Sequence, residues 1–146
     1  MKINELADIL KSGSHSLLVA RTAVSTYDGS GVADLFRLLN SEPETLADAM
    51  VADKVVGKGA AALMALAHVA EVYADVLSEP AQDLLVGAGI KTSCGKLVPY
   101  IINRAGTGMC PLEARCASCN TAEECLLEIT SFIEEMKAKH ASSPTR

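Results

Sequence analysis

Met50-Val51-Ala52-Asp53-Lys54-Val55-Val56, then Gly57-Lys58-Gly59, then Ala60-Ala61-Ala62-Leu63-Met64 is the stretch that decides the fold. The first seven residues are rich in β-branched side chains and end at a glycine, which predicts a buried central strand. The run from Ala60 to Ala70 is apolar nearly all round and predicts a helix buried on more than one side. Strand, glycine turn and helix together make the first half of a βαβ unit.

Working outward, Val72 to Leu77 reads as the next strand. Pro80 opens a helix over Ala81 to Val86, and Gly87 and Gly89 close it. Ile90 to Cys94 and Val98 to Asn103 read as two extended segments joined by a turn at Gly95-Lys96. On the N-terminal side, Asn4 can cap a short helix carrying Leu6, Ile9 and Leu10, with Gly13 at its end. Ser16 to Ala20 and a partner strand running to Tyr27 form a hairpin, broken by Asp28-Gly29-Ser30-Gly31. Val32 to Leu39 has helical spacing, and Ser41-Glu42-Pro43-Glu44 offers a capping box for a further turn. Thr121-x-x-Glu124 starts a last helix built on Leu126, Ile129, Ile133 and Met136. The resulting expectation is an α/β fold, a three-layer α/β/α sandwich around a mixed five-stranded sheet. An N-terminal helix (1–13) precedes a single domain (14–140), and a disordered tail follows (141–146).

The 146 residues suit one domain. Aromatics make up only 3% of the chain, so the core must be aliphatic and alanine-rich, without a base-stacking platform. Net charge is -5 and the basic residues are scattered, which argues against binding a phosphate backbone. No apolar stretch reaches the roughly 18 residues of a membrane span, and Met1-Lys2-Ile3-Asn4-Glu5 lacks a secretion-signal core. A cytoplasmic protein with reduced thiols is the simplest expectation.

Four of five cysteines, Cys110, Cys116, Cys119 and Cys125, fall within sixteen residues. Cys110 precedes Pro111 at a predicted helix start, where a thiolate would be favoured, and Glu113 follows a turn later as an acid, a base or a helix-start residue. Cys116-x-x-Cys119 has metal or redox spacing, so all four thiols could hold zinc or an iron–sulfur cluster. Equally, Cys125 fits a buried apolar position. Gly57-Lys58-Gly59-Ala60-Ala61-Ala62 fits a G-x-G-x-x-A form, with Asp75 eighteen residues beyond the first glycine; a plain tight turn explains the same residues. His68, inside the apolar helix, reads as a core residue rather than a catalyst.

Asp53 to Ala62 and Met109-Cys110-Pro111-Leu112-Glu113, taken together, resemble an uncharacterised bacterial domain family with the cytidine-deaminase-like fold. The resemblance runs from about Ser16 to Phe132. It implies that the hairpin and three further strands share one sheet, and that the two motifs open neighbouring helices at the position of the deaminase active site. True deaminases carry H-x-E and P-C-x-x-C there. This chain has Gly57-Lys58-Gly59 at the first position and a single Cys110 at the second, so zinc is not expected at the deaminase position and deamination is improbable. No cofactor is identified.

These readings converge on a small-molecule binding domain for an anionic, nucleotide-related ligand, with Asp53, Lys54, Gly57, Lys58, Gly59 and Glu113 as ligand-binding residues and Cys110 as the reactive or catalytic thiol. Two alternatives stand beside it: a cysteine-ligated metal or redox protein, and a non-catalytic homodimeric scaffold. Nucleic acid and membrane are not expected partners. Whether the domain is an enzyme stays open at the level of sequence.

Overall fold

The computed structural model describes residues 1–29, 32–103 and 105–141. Ser30 and Gly31 of the expected hairpin break, and residues 142–146 of the expected tail, lie outside the described residues. The chain is a mixed α/β domain. Its strands are β1 (Leu17–Ala20), β2 (Val24–Tyr27), β3 (Met50–Val56), β4 (Glu71–Ser78) and β5 (Lys91–Val98). Six helices accompany them among the described residues: α1 (Ile3–Ser12), α2 (Ala33–Ser41), α3 (Lys58–Leu66), α4 (Glu79–Gly87), α5 (Pro111–Cys116) and α6 (Ala122–Ala141). No helix among the described residues is long and apolar enough to cross a membrane.

One five-stranded sheet runs in the order β2-β1-β3-β4-β5. β1 is antiparallel to both β2 and β3, while β3, β4 and β5 run parallel. The path β3-α3-β4-α4-β5 steps in one direction across the sheet, so right-handed crossovers put α3 and α4 on the same face. Their buried side chains (Ala61, Leu63, Met64, Ala81 and Leu85) share one core with Val51, Val56 and Leu77 from the strands. The opposite face is left to α1, whose Leu6, Ala7 and Leu10 pack with Leu18, Ala20, Ala52 and Tyr73. Ile9, expected beside them, is 39% exposed.

α3 lies between α2 and α4 and beneath α5 and α6, which accounts for its apolar residues on nearly every side. It stops earlier than its composition suggests. His68 takes a left-handed conformation (φ 61°) and is exposed, not buried in the core. The His68 N–H donates to Ala65 O (3.2 Å) and the Val69 N–H to Met64 O (3.2 Å), a Schellman closure in which Val69 and Met64 are both buried. A histidine in the position that glycine usually fills gave no local stop signal.

The expected turn at Gly95-Lys96 is absent, and β5 runs straight through it. A side chain at Gly95 would bring its Cβ to 2.9 Å from the Asp75 carbonyl oxygen. Here glycine marks close approach of two backbones rather than a reversal. Of the expected segment from Val98 to Asn103, Val98 is the last residue of β5, and residues 99–103 form no strand beyond a single bridge from Ile102 to Met109.

Candidate functional site

Leu17 at the start of β1 pairs with Asp53 near the end of β3, because the two strands are antiparallel. That register brings the beginning of the hairpin beside the strand-to-helix turn at Gly57. Ile101, Ile102 and Asn103 together with Cys110, Pro111, Leu112 and Glu113 close the third side. Between them lies a cavity of about 640 Å³, within the range of small-molecule sites. Asp53, Lys54, Gly57, Gly59, Cys110 and Glu113 all line it, so six of the seven residues singled out by sequence are brought together.

Glu113 is the hinge of this arrangement. It is only 5% exposed, and both of its oxygens accept backbone N–H groups: Lys58 N at 2.8 Å and Ile101 N at 2.9 Å. The carboxylate therefore sits at the first turn of α3, where unpaired N–H groups favour an anion. A Cβ on Gly57 would approach Glu113 Oε1 and Ile101 Cγ1 to 3.1 Å each. Gly59 has the same relation to Leu112 Cδ2, at 3.1 Å. The two glycines thus let the start of α3 meet α5 and the segment before it.

Lys58 is the residue that does not join the cavity. Its ammonium turns away and donates to Ala117 O (3.3 Å) and Cys119 O (2.5 Å), the free carbonyls beyond the end of α5. Its charge is spent on a helix terminus, and its backbone donor is already taken by Glu113.

Asp53 is the most perturbed group at the site. It is 6% exposed on the cavity wall, and burial pushes its carboxyl up to about 8. The N–H groups of Val55 and Lys54 oppose that rise, while the charges of Asp34 and Asp75 add to it. Among the described residues no other side chain hydrogen-bonds to it. Its neighbours on the wall are engaged elsewhere: Asp34 accepts from Gly29 N (2.8 Å) and faces Arg37 (3.6 Å), and Asp28 pairs with His15 (2.6 Å). Asp34, Ser16 and Asn103 line the cavity without any sequence signal, because only the sheet register and the loop crossings bring them there. Asp75, eighteen residues beyond the first glycine of the pattern, accepts from Tyr73 OH (2.8 Å) and is not on the cavity wall.

The cysteines divide. Cys110 lines the cavity, with its N–H donating to Ile101 O (2.8 Å). The helix it precedes is six residues long, so its dipole is short. Cys116 and Cys125 are fully buried in the core, where burial pushes them up to about 11 and about 12. All five thiols are unbridged. The four-cysteine metal set is not assembled: among the described residues no three His, Cys, Asp or Glu side chains are placed to hold a metal ion.

No curated protein matches the chain. A crystal structure of a DUF1893 family protein from Thermotoga maritima shares the fold, with a TM-score of 0.80 and 24% identity over 88% of each chain. The sequence profile of a domain of unknown function, DUF1893, matches residues 5–133. With a match of that extent, this chain belongs to the DUF1893 family.

Proposed function

We propose that this domain binds a small, nucleotide-related molecule in the cavity between the Gly57 turn and the start of α5, on a three-layer α/β/α scaffold of the cytidine-deaminase-like kind. The observation that carries the reading is a cavity of about 640 Å³ with a buried carboxyl group on its wall, Asp53, to which no side chain among the described residues bonds. Support for the scaffold comes from the hairpin and three parallel strands in one sheet and from the direct bond between the two motifs, Lys58 N to Glu113 Oε1. The deaminase machinery has no counterpart at those two motifs, where glycines and a single Cys110 stand in place of H-x-E and P-C-x-x-C.

Charge decides where each part of the ligand goes. Lys54 is the only lysine on the wall among the described residues, and carboxyl groups of Asp28, Asp34, Asp53 and Glu113 surround the rest. An anionic group belongs beside Lys54, and an uncharged, hydrogen-bonding ring belongs deeper. Cys110 acts as a contact to that ring.

A two-dimensional amide NMR titration of the labelled protein with AMP, GMP, CMP and UMP tests the reading. Shifts confined to residues 53–60 and 101–113, weakened in Lys54→Ala, are expected for at least one of the four. Protection of Cys110 from alkylation by the same nucleotide should accompany them. No response in either segment at millimolar concentration would overturn the proposal.

A further inference from the structure

We infer that the Asp53 carboxyl is the recognition point for a neutral edge carrying a hydrogen-bond donor and acceptor side by side, such as a carboxamide or lactam. This deepens the small-molecule reading and rests on it. Asp53 lies 94% out of solvent on the wall of the cavity, and no side chain among the described residues bonds to it. The two backbone N–H groups near it, of Lys54 and Val55, can only donate. A protonated carboxyl has an O–H of its own to place, and the cavity is where an acceptor must come from.

The surrounding charges favour that protonated state. Asp34 on α2 and Asp75 on β4 both act on Asp53 electrostatically, and Asp28, Glu113 and Cys110 share the cavity wall. Lys54, its neighbour in β3, is the basic side chain among these groups. Burial dominates, and the group holds its proton up to about pH 8. At neutral pH, then, Asp53 offers the cavity one donor and one acceptor on adjacent oxygens, on a wall that also carries Leu17, Val32 and Ile101. A carboxamide or lactam edge closes a ring of two hydrogen bonds on that pair without burying a charge. Deprotonated, Asp53 loses the donor and repels the ligand's acceptor.

Benzamide, which has the edge and no charge, is the probe. Its affinity for the wild-type protein, read from amide shifts of residues 53–60, should weaken about tenfold between pH 6 and pH 9, as the competent protonated fraction falls past about pH 8. Asp53→Asn keeps a donor beside an acceptor but cannot titrate. It should bind benzamide about as well as the wild type at pH 6 and equally well at pH 9, whereas Asp53→Leu should lose binding at both. A direct carbon-13 titration of the Asp53 carboxyl in the unliganded wild type needs no variant; its midpoint should lie near pH 8 and rise when benzamide is present. Benzamide binding in the cavity with the same affinity at both pH values overturns the role of Asp53 alone. Absence of any cavity response to millimolar benzamide overturns this inference, whereas failure of the nucleotides as well removes the small-molecule reading beneath it.

Discussion

Replacing Glu113 tests whether the cavity is held open by one carboxylate. Its two oxygens take the N–H groups of Lys58 at 2.8 Å and Ile101 at 2.9 Å, joining α5 to the segment 12 residues before it and to the start of α3, 55 residues before it. Hydrogen bonds to a charged group contribute about 1.5–3 kcal/mol each, and a buried donor left without a partner costs about 1–3 kcal/mol. The Ile101 bond is buried and the Lys58 bond partly so, which puts Glu113→Ala at the lower end, about 3–4 kcal/mol in total. Glu113→Gln retains the shape and one acceptor but turns an NH₂ toward the other N–H, so about 2 kcal/mol should be lost. At this chain length 1 kcal/mol corresponds to about 3 °C, and Glu113→Ala should therefore melt about 10 °C below the wild type. Circular dichroism gives the melting temperatures, and amide exchange locates the effect. Exchange at Lys58 and Ile101 should accelerate beyond the change in global stability. A Glu113→Gln protein as stable as the wild type would refute the two-acceptor account, even if Glu113→Ala were destabilised, because packing alone would then explain the loss.

Two further outcomes follow from the same geometry. Asp53 stands at about 8 in the folded chain against 3.8 for an exposed carboxyl, so between those values the folded state holds a proton the unfolded state has released. Wild-type stability should fall as pH rises through that window, by up to about 1.4 kcal/mol per unit, and level off above it. Asp53→Asn should not share the fall, and urea unfolding at several pH values would refute the argument if the two proteins ran parallel. Thiol labelling of the native protein near pH 8 should reach Cys94, Cys110 and Cys119 and spare Cys116 and Cys125 until denaturant is added, since burial holds those two thiols protonated. Native-state labelling of Cys116 or Cys125 as fast as Cys110 would place them outside the core.

Local chemistry made several elements legible. β3 spans Met50–Val56 as its β-branched pattern required, and α4 begins with Pro80 in its first turn behind the Ser78 cap. The last helix starts where Thr121 accepts from Glu124 N (3.1 Å). Where a residue's role depended on distant backbone, the local pattern misled. Gly95 resembled a turn because glycine serves both reversals and close contacts, and only the neighbouring Asp75 carbonyl distinguishes them. His68 resembled a core residue because it follows an apolar run, yet its left-handed backbone ends the helix.

The sequence by itself determined the strand–glycine–helix unit, the aliphatic core and the residues from which a site could be built, since these follow from periodicity and side-chain chemistry within a few residues. Tertiary structure decided what those residues do. It sent the Lys58 ammonium to the far end of α5, made Glu113 a clamp, put Cys110 on the cavity wall and Cys116 and Cys125 in the core, and buried Asp53, which raises its carboxyl above the usual range. The physical reason is range: helix and strand preferences act between near neighbours, whereas desolvation and hydrogen-bond partners depend on which distant segments the fold brings within a few ångströms.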